Sequence, residues 1–107
     1  MASSEDKKKA HENKFAHDSE MQFKAQARRN KLLGLWAAGK MGLSVDEVET
    51  YAKSLVVEGL KEAGDESIVR KLASSFSEHG IEIAEAAIRT QIEVLMTEAR
   101  DQVLSES

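Results

Sequence analysis

Not one of the 107 residues is proline. Proline fixes turns in most folds rich in strands and loops, so the punctuation of this chain must come from glycine alone. The six glycines stand singly, at positions 34, 39, 42, 59, 64 and 80, with long stretches of good helix formers between them. The apolar residues are mostly Ala, Leu, Ile and Val, and only five residues are aromatic. Such a chain is expected to be all-α: helices joined by glycine turns around one small core, with about 60–70% of the unfolded surface removed from water.

The helical period gives the element order. Phe15 opens a pattern in which Met21, Ala25, Arg28, Leu32, Leu35, Trp36 and Gly39 recur every three or four residues. The run Leu32-Leu33-Gly34-Leu35-Trp36-Ala37-Ala38 is apolar around most of its circumference. A helix tolerates that only under cover of other helices, which makes Trp36 the first expected core residue. Gly42 is placed to end this helix near Met41, with Lys40 in its last turn. Ser44-Val45-Asp46-Glu47 reads as a capping box, with Leu43 and Val48 as its hydrophobic staple. The second helix carries Val45, Val48, Tyr51, Ala52, Leu55, Val56 and Leu60, and Gly64 is its expected end. Asp65 is the expected cap of a third helix bearing Ile68, Val69, Leu72, Ala73 and Phe76, closed by His79 and Gly80. The last helix has no polar cap at Ile83 or Ala84, yet Ile88, Ile92, Leu95, Met96, Ala99 and Val103 form a continuous stripe. The short connections make successive helices antiparallel neighbours in a small four-helix bundle.

The chain is divided by charge. Residues 1–31 hold eight Lys or Arg against five Asp or Glu, and residues 32–107 hold seven against fourteen, so a segment of charge +3 precedes one of −7. In the first fourteen residues no apolar side chain exceeds Ala in size except the initiator Met1. Nothing there repays the entropy of ordering, so residues 1–18 are expected to be a disordered or partly helical arm and residues 19–107 the helical domain. Glu5, Lys7, Lys8, Lys9, Ala10 and Glu12 are all compatible with a helix, and Ser3 or Ser4 is a possible cap, so the arm suits folding on a partner. Phe15 has two readings: it folds back on the bundle, or it anchors a partner together with Phe23, eight residues on. His17 is either an ordinary exposed imidazole or a pH-responsive contact. Arg28, Arg29 and Asn30 either touch the partner or form the solvated face of the first helix.

Composition and spacing exclude most chemistry. No cysteine is available for a disulfide, a thiolate metal site or a nucleophile, and His11, His17 and His79 form no pair at helical spacing. No cluster of glycines leads into a helix to cradle phosphate, and no serine lies in a nucleophile elbow, so neither a cofactor nor an enzyme activity is expected. No stretch approaches about 20 continuous apolar residues and the N-terminus is polar, so a cytosolic chain is expected. The basic clusters Lys7-Lys8-Lys9 and Arg28-Arg29-Asn30-Lys31 keep one alternative open, a small nucleic-acid-binding or adaptor protein. Against it stand the interleaved acidic residues, the negative body and the lack of stacking aromatics.

The strings Lys14-Phe15-Ala16-His17-Asp18, Phe23-Lys24 and Ala27-Arg28-Arg29-Asn30-Lys31-Leu32-Leu33-Gly34-Leu35-Trp36-Ala37-Ala38 closely resemble the zeta inhibitor subunit family of alphaproteobacterial F-type ATP synthases. The likeness extends over essentially the whole chain and is weaker after residue 60; Gly39 and Ala84 depart from it. The resemblance implies a four-helix bundle whose N-terminal segment becomes a helix, wedges between the alpha and beta subunits of the catalytic head near the gamma shaft, and stops ATP hydrolysis. Nothing in the sequence forces more than a monomer when free, and a protein bound to that head is expected at the cytoplasmic face of the inner membrane. Partner contacts are then expected at Lys7, Lys8, Lys9, Lys14, Phe15, His17, Asp18, Phe23, Arg28, Arg29 and Asn30.

Overall fold

A computed structural model describes residues 19–106. Four helices and no strand occur among them: α1 (Ser19–Met41), α2 (Val45–Glu58), α3 (Glu66–Glu78) and α4 (Glu85–Glu106). The expected start of the first helix at Phe15 lies outside the described residues.

The glycine punctuation has a geometric basis. Gly42 and Gly80 adopt φ of 67° and 68°, the left-handed conformation that a side chain resists. At the first, the Leu43 amide donates to the Ala38 carbonyl and the Gly42 amide to Gly39, which satisfies the last carbonyls of α1. The same pair closes α3, from Ile81 to Phe76 and from Gly80 to Ser77. The Ser44 capping box is formed: the Ser44 hydroxyl accepts from the Glu47 amide, and the Glu47 carboxylate accepts from the Ser44 amide at 3.1 Å. Those hydrogen bonds from Ser44 hold the Glu47 carboxyl below the usual range. α4 begins just after Ala84, whose methyl side chain can accept from none of the first amides, while its carbonyl accepts from the Ala87 and Ile88 amides.

Two boundaries differ from expectation. α2 stops at Glu58, not at Gly64. The α-helical pattern gives way there to tighter turns: the Leu60 amide donates to Val57 and the Lys61 amide to Glu58, whose carbonyl also accepts from the Ser67 hydroxyl, and the bare Cα of Gly59 makes room for the buried amide of Asn30. Asp65 does stand at the N-cap of α3, but its carboxylate makes no cap hydrogen bond. It is drawn instead to Arg29, at 2.9 Å.

The face that α1 buries also differs. The buried line is Ala25, Arg29, Asn30, Leu33, Gly34, Ala37 and Ala38, whereas Leu35 is 40% exposed. Trp36 is only partly buried and packs on the core rim, edge-on to Phe76 with ring centroids 5.5 Å apart. The large side chains drew the expectation to the wrong flank. α1 makes its most extensive contacts with α2 and α4, and small residues at its centre let both approach. A Cβ on Gly34 would lie 2.5 Å from Ala52 Cα, so Gly34→Ala is expected to destabilise the fold by about 1–3 kcal/mol, read from a urea midpoint.

Leu33, Leu55, Ile68, Leu72, Phe76 and Ile88 are the largest fully buried side chains and belong to one cluster. The stripe of α4 is buried at Ile88, Ile92, Leu95, Ala99 and Val103, as its period requires. A smaller cluster of Ala25 and Val103, flanked by Met21, Met96 and Leu104, joins the start of α1 to the end of α4, so these two helices run antiparallel. Besides Leu35, three residues expected inside lie outside: Val45, Leu60 and Ala73.

Candidate partner-binding surface

The surface nearest the N-terminal segment is built by the first turns of α1. Lys24 pairs with Glu20 one turn earlier, at 3.4 Å. Arg28 reaches the far end of α4, where it donates to Gln102 Oε1 at 2.8 Å and pairs with Glu106 at 2.7 Å. That hydrogen bond holds the Glu106 carboxyl below its ordinary range and raises the guanidinium further.

Arg29 and Asn30 are inside the bundle, 4% and 2% exposed. The Arg29 Nε and Nη2 both donate to Asn30 Oδ1, at 3.1 and 2.9 Å, and Nη2 also meets Asp65. A buried guanidinium is tolerated when every donor it turns inward finds an acceptor, and here the fork closes on an amide oxygen and a carboxylate. The network ties α1 to the loop before α3. The solvated-face reading of Arg29 and Asn30 is therefore wrong, and neither side chain is presented at the surface. The spacing Ala25, Arg29, Leu33, Ala37 carried that information, because Arg29 falls one turn from two buried residues.

Phe23 is 58% exposed. With Gln26, Ala27 and Asn30 it forms a shallow cleft against Val56, Gly59 and Leu60 of the α2 end. The line of α1 that faces α2 runs through Gly34 and Asn30 to Phe23, and α2 ends before it can cover the last of these. Phe23 is thus an expected contact that the fold leaves accessible. Lys7, Lys8, Lys9, Lys14, Phe15, His17 and Asp18 lie outside the described residues.

No acid–base pair is assembled elsewhere on the body among the described residues. A hollow lined by Leu43, Asp46, Glu47, Thr50, Tyr51 and His79 holds the most polar candidates. Three of its groups are already engaged: Glu47 by Ser44, Tyr51 Oη by donation to Ser75 Oγ at 2.7 Å, and the His79 ring by the Ser75 carbonyl at 2.9 Å. Burial pushes the Tyr51 phenol up, away from proton transfer near neutrality. Among the described residues no group of His, Asp or Glu is arranged to hold a metal, and no helix is long and apolar enough to cross a membrane.

Comparison with known proteins identifies relatives of the whole chain. A family model described as ATPase inhibitor subunit zeta matches residues 1–102. A protein solved by solution NMR is 42% identical, with the alignment covering 81% of this chain and 99% of that one at a TM-score of 0.71. No curated protein matches.

Proposed function

The chain belongs to the ATPase inhibitor subunit zeta family, and from that premise we propose that it stops ATP hydrolysis by the F-type ATP synthase by inserting residues 1–18, as a helix, between an alpha and a beta subunit of the catalytic head. The insertion reaches toward the gamma shaft. The protein acts as a regulator and not as a catalyst, at the cytoplasmic face of the inner membrane.

One observation carries the division of labour. Of the groups on α1 that were candidates for contact, Arg29 and Asn30 are spent on the loop before α3 and Arg28 on the end of α4. Most of the positive charge for a partner then falls to Lys7, Lys8, Lys9 and Lys14, beside the exposed Lys31 of α1, and the first large anchor is Phe15. Arg28 keeps 29% of its side chain exposed and stays within reach of a bound head, whereas Arg29 and Asn30 serve by fixing α1.

Energetics favour a deep site. Ordering fourteen backbone residues costs about 15–25 kcal/mol, which a shallow contact does not repay. New helix hydrogen bonds, charge pairing and burial of Phe15 together offset it, the phenylalanine contributing about 1.5–3 kcal/mol. The four lysines steer the arm onto acidic surface, so the onset of inhibition slows as salt rises.

Titration of the chain into its catalytic head, with ATP hydrolysis as readout, tests the proposal. Phe15→Ala is expected to raise the half-inhibitory concentration about tenfold or more. Equal inhibition by parent and variant would remove Phe15 as the anchor. The nucleic-acid alternative is met by a DNA and RNA shift assay at several salt concentrations, where no complex is expected because residues 32–107 carry −7.

A further inference from the structure

Two apolar clusters divide the described part of the bundle, and they are unequal. The larger holds ten buried residues, draws on all four helices and takes its α4 members from Ile88, Ile92 and Leu95. The smaller has two buried residues, Ala25 of α1 and Val103 of α4, with Met21, Met96 and Leu104 only partly buried around them. α4 thus runs on for about three turns past Leu95, to Glu106, along the first turns of α1. Ala99, buried but a member of neither cluster, stands between the two.

A polar clasp supplements the slight apolar burial at this end. Arg28 Nη1 donates to Gln102 Oε1 at 2.8 Å and Nη2 to Glu106 Oε2 at 2.9 Å, so one guanidinium grips two successive turns of α4. The Arg28 and Glu106 side chains are 29 and 55% exposed, and an ion pair that water reaches is weak. Arg29, one residue on, is by contrast buried and bound to Asn30 and Asp65, a network that belongs to the body. Regions with few buried apolar contacts open ahead of the rest, at free energies below that of global unfolding.

We infer that the last three turns of α4 are a strap, which peels from the start of α1 as one unit while the rest of the bundle stays folded, and that the grip of Arg28 on Gln102 and Glu106 is its clasp. The open state bares Ala25 and Val103 and frees the Arg28 guanidinium, so that α1 presents an apolar strip and a positive charge that Glu106 neutralises in the closed fold. The strap is a property of the free chain, and its test does not depend on the catalytic head.

Native-state hydrogen exchange of the full chain, read residue by residue by NMR, tests this in the parent, in Arg28→Gln and in Ile68→Val. In the parent the amides of residues 99–103 are expected to share one protection factor, at least about tenfold below that of residues 72–76 in α3. Ile68→Val trims the larger core, where Ile68 is fully buried. It is expected to lower protection of residues 72–76 about two- to tenfold and to leave residues 99–103 unchanged, because the strap opens without α3. Arg28→Gln is expected to lower protection of residues 99–103 about two- to fivefold. Equal protection of the two segments in the parent, or a parallel response to Ile68→Val, would make the bundle a single cooperative unit and overturn the strap. Protection that falls step by step from residue 99 to residue 103 would also overturn it, as ordinary fraying of a helix end. Unchanged protection of residues 99–103 in Arg28→Gln would remove the clasp.

Discussion

Removal of residues 1–18 is expected to abolish inhibition of ATP hydrolysis and to leave the thermal unfolding of the remaining chain within a few degrees of the parent. The two halves of this result follow from where the interactions lie. Both core clusters are made by residues between Met21 and Leu104, and the capping box, the two left-handed helix ends and the Arg29–Asp65 pair all fall within the described residues. These interactions are all retained in the shortened chain, which is why the body is expected to keep its fold. Inhibition, by contrast, is proposed to need Lys7, Lys8, Lys9, Lys14 and Phe15, all of which the truncation removes. A truncated chain that still blocked hydrolysis at parental concentrations would assign the inhibitory surface to the body. One that bound without blocking would fit a residual contact through Phe23, the exposed candidate residue that the truncation leaves in place.

The largest loss of stability is expected from Phe76→Ala, about 3–5 kcal/mol. Phe76 is 1% exposed, the largest fully buried side chain, and its ring meets the edge of Trp36. It joins α3 to a core that α1, α2 and α4 also line, so the cavity opens at the centre of the bundle. A domain of this size has about 5–15 kcal/mol in total, so the variant should be largely native in the cold and melt on the order of 20 °C early. Calorimetry or denaturant unfolding measures it. A loss below about 1 kcal/mol would mean that the bundle repacks around the gap.

How much of this was legible before the structure depends on whether a feature is local. The Ser44–Glu47 capping box and the left-handed Gly42 and Gly80 are decided within a few residues, and each was placed correctly. The stripe of α4 was legible too, because one face of that helix meets the core. α1 was misread because it is covered from two sides. Its centre is Leu33, Gly34, Ala37 and Ala38, while Leu35 remains exposed, and size alone pointed the other way. The end of α2 was misread because nothing local marks it: Gly59 keeps a right-handed conformation, and its missing side chain answers to the close approach of Asn30, twenty-nine positions earlier. Asp65 shows the same limit. Its position before α3 was right, but a long-range partner, Arg29, took the carboxylate from the cap. Of the expected contact residues on α1, Phe23 proved accessible and Arg29 and Asn30 structural.

The central claim is that a self-sufficient helical body carries a leading segment which orders only in the grip of the ATP synthase head. Amide hydrogen exchange over residues 1–18, compared between the free chain and the head-bound chain, tests it most directly. The account predicts exchange at nearly unprotected rates when free and strong, contiguous protection through Phe15 when bound. Protection of those amides in the free chain, or their continued rapid exchange in a complex that is fully inhibited, would contradict it.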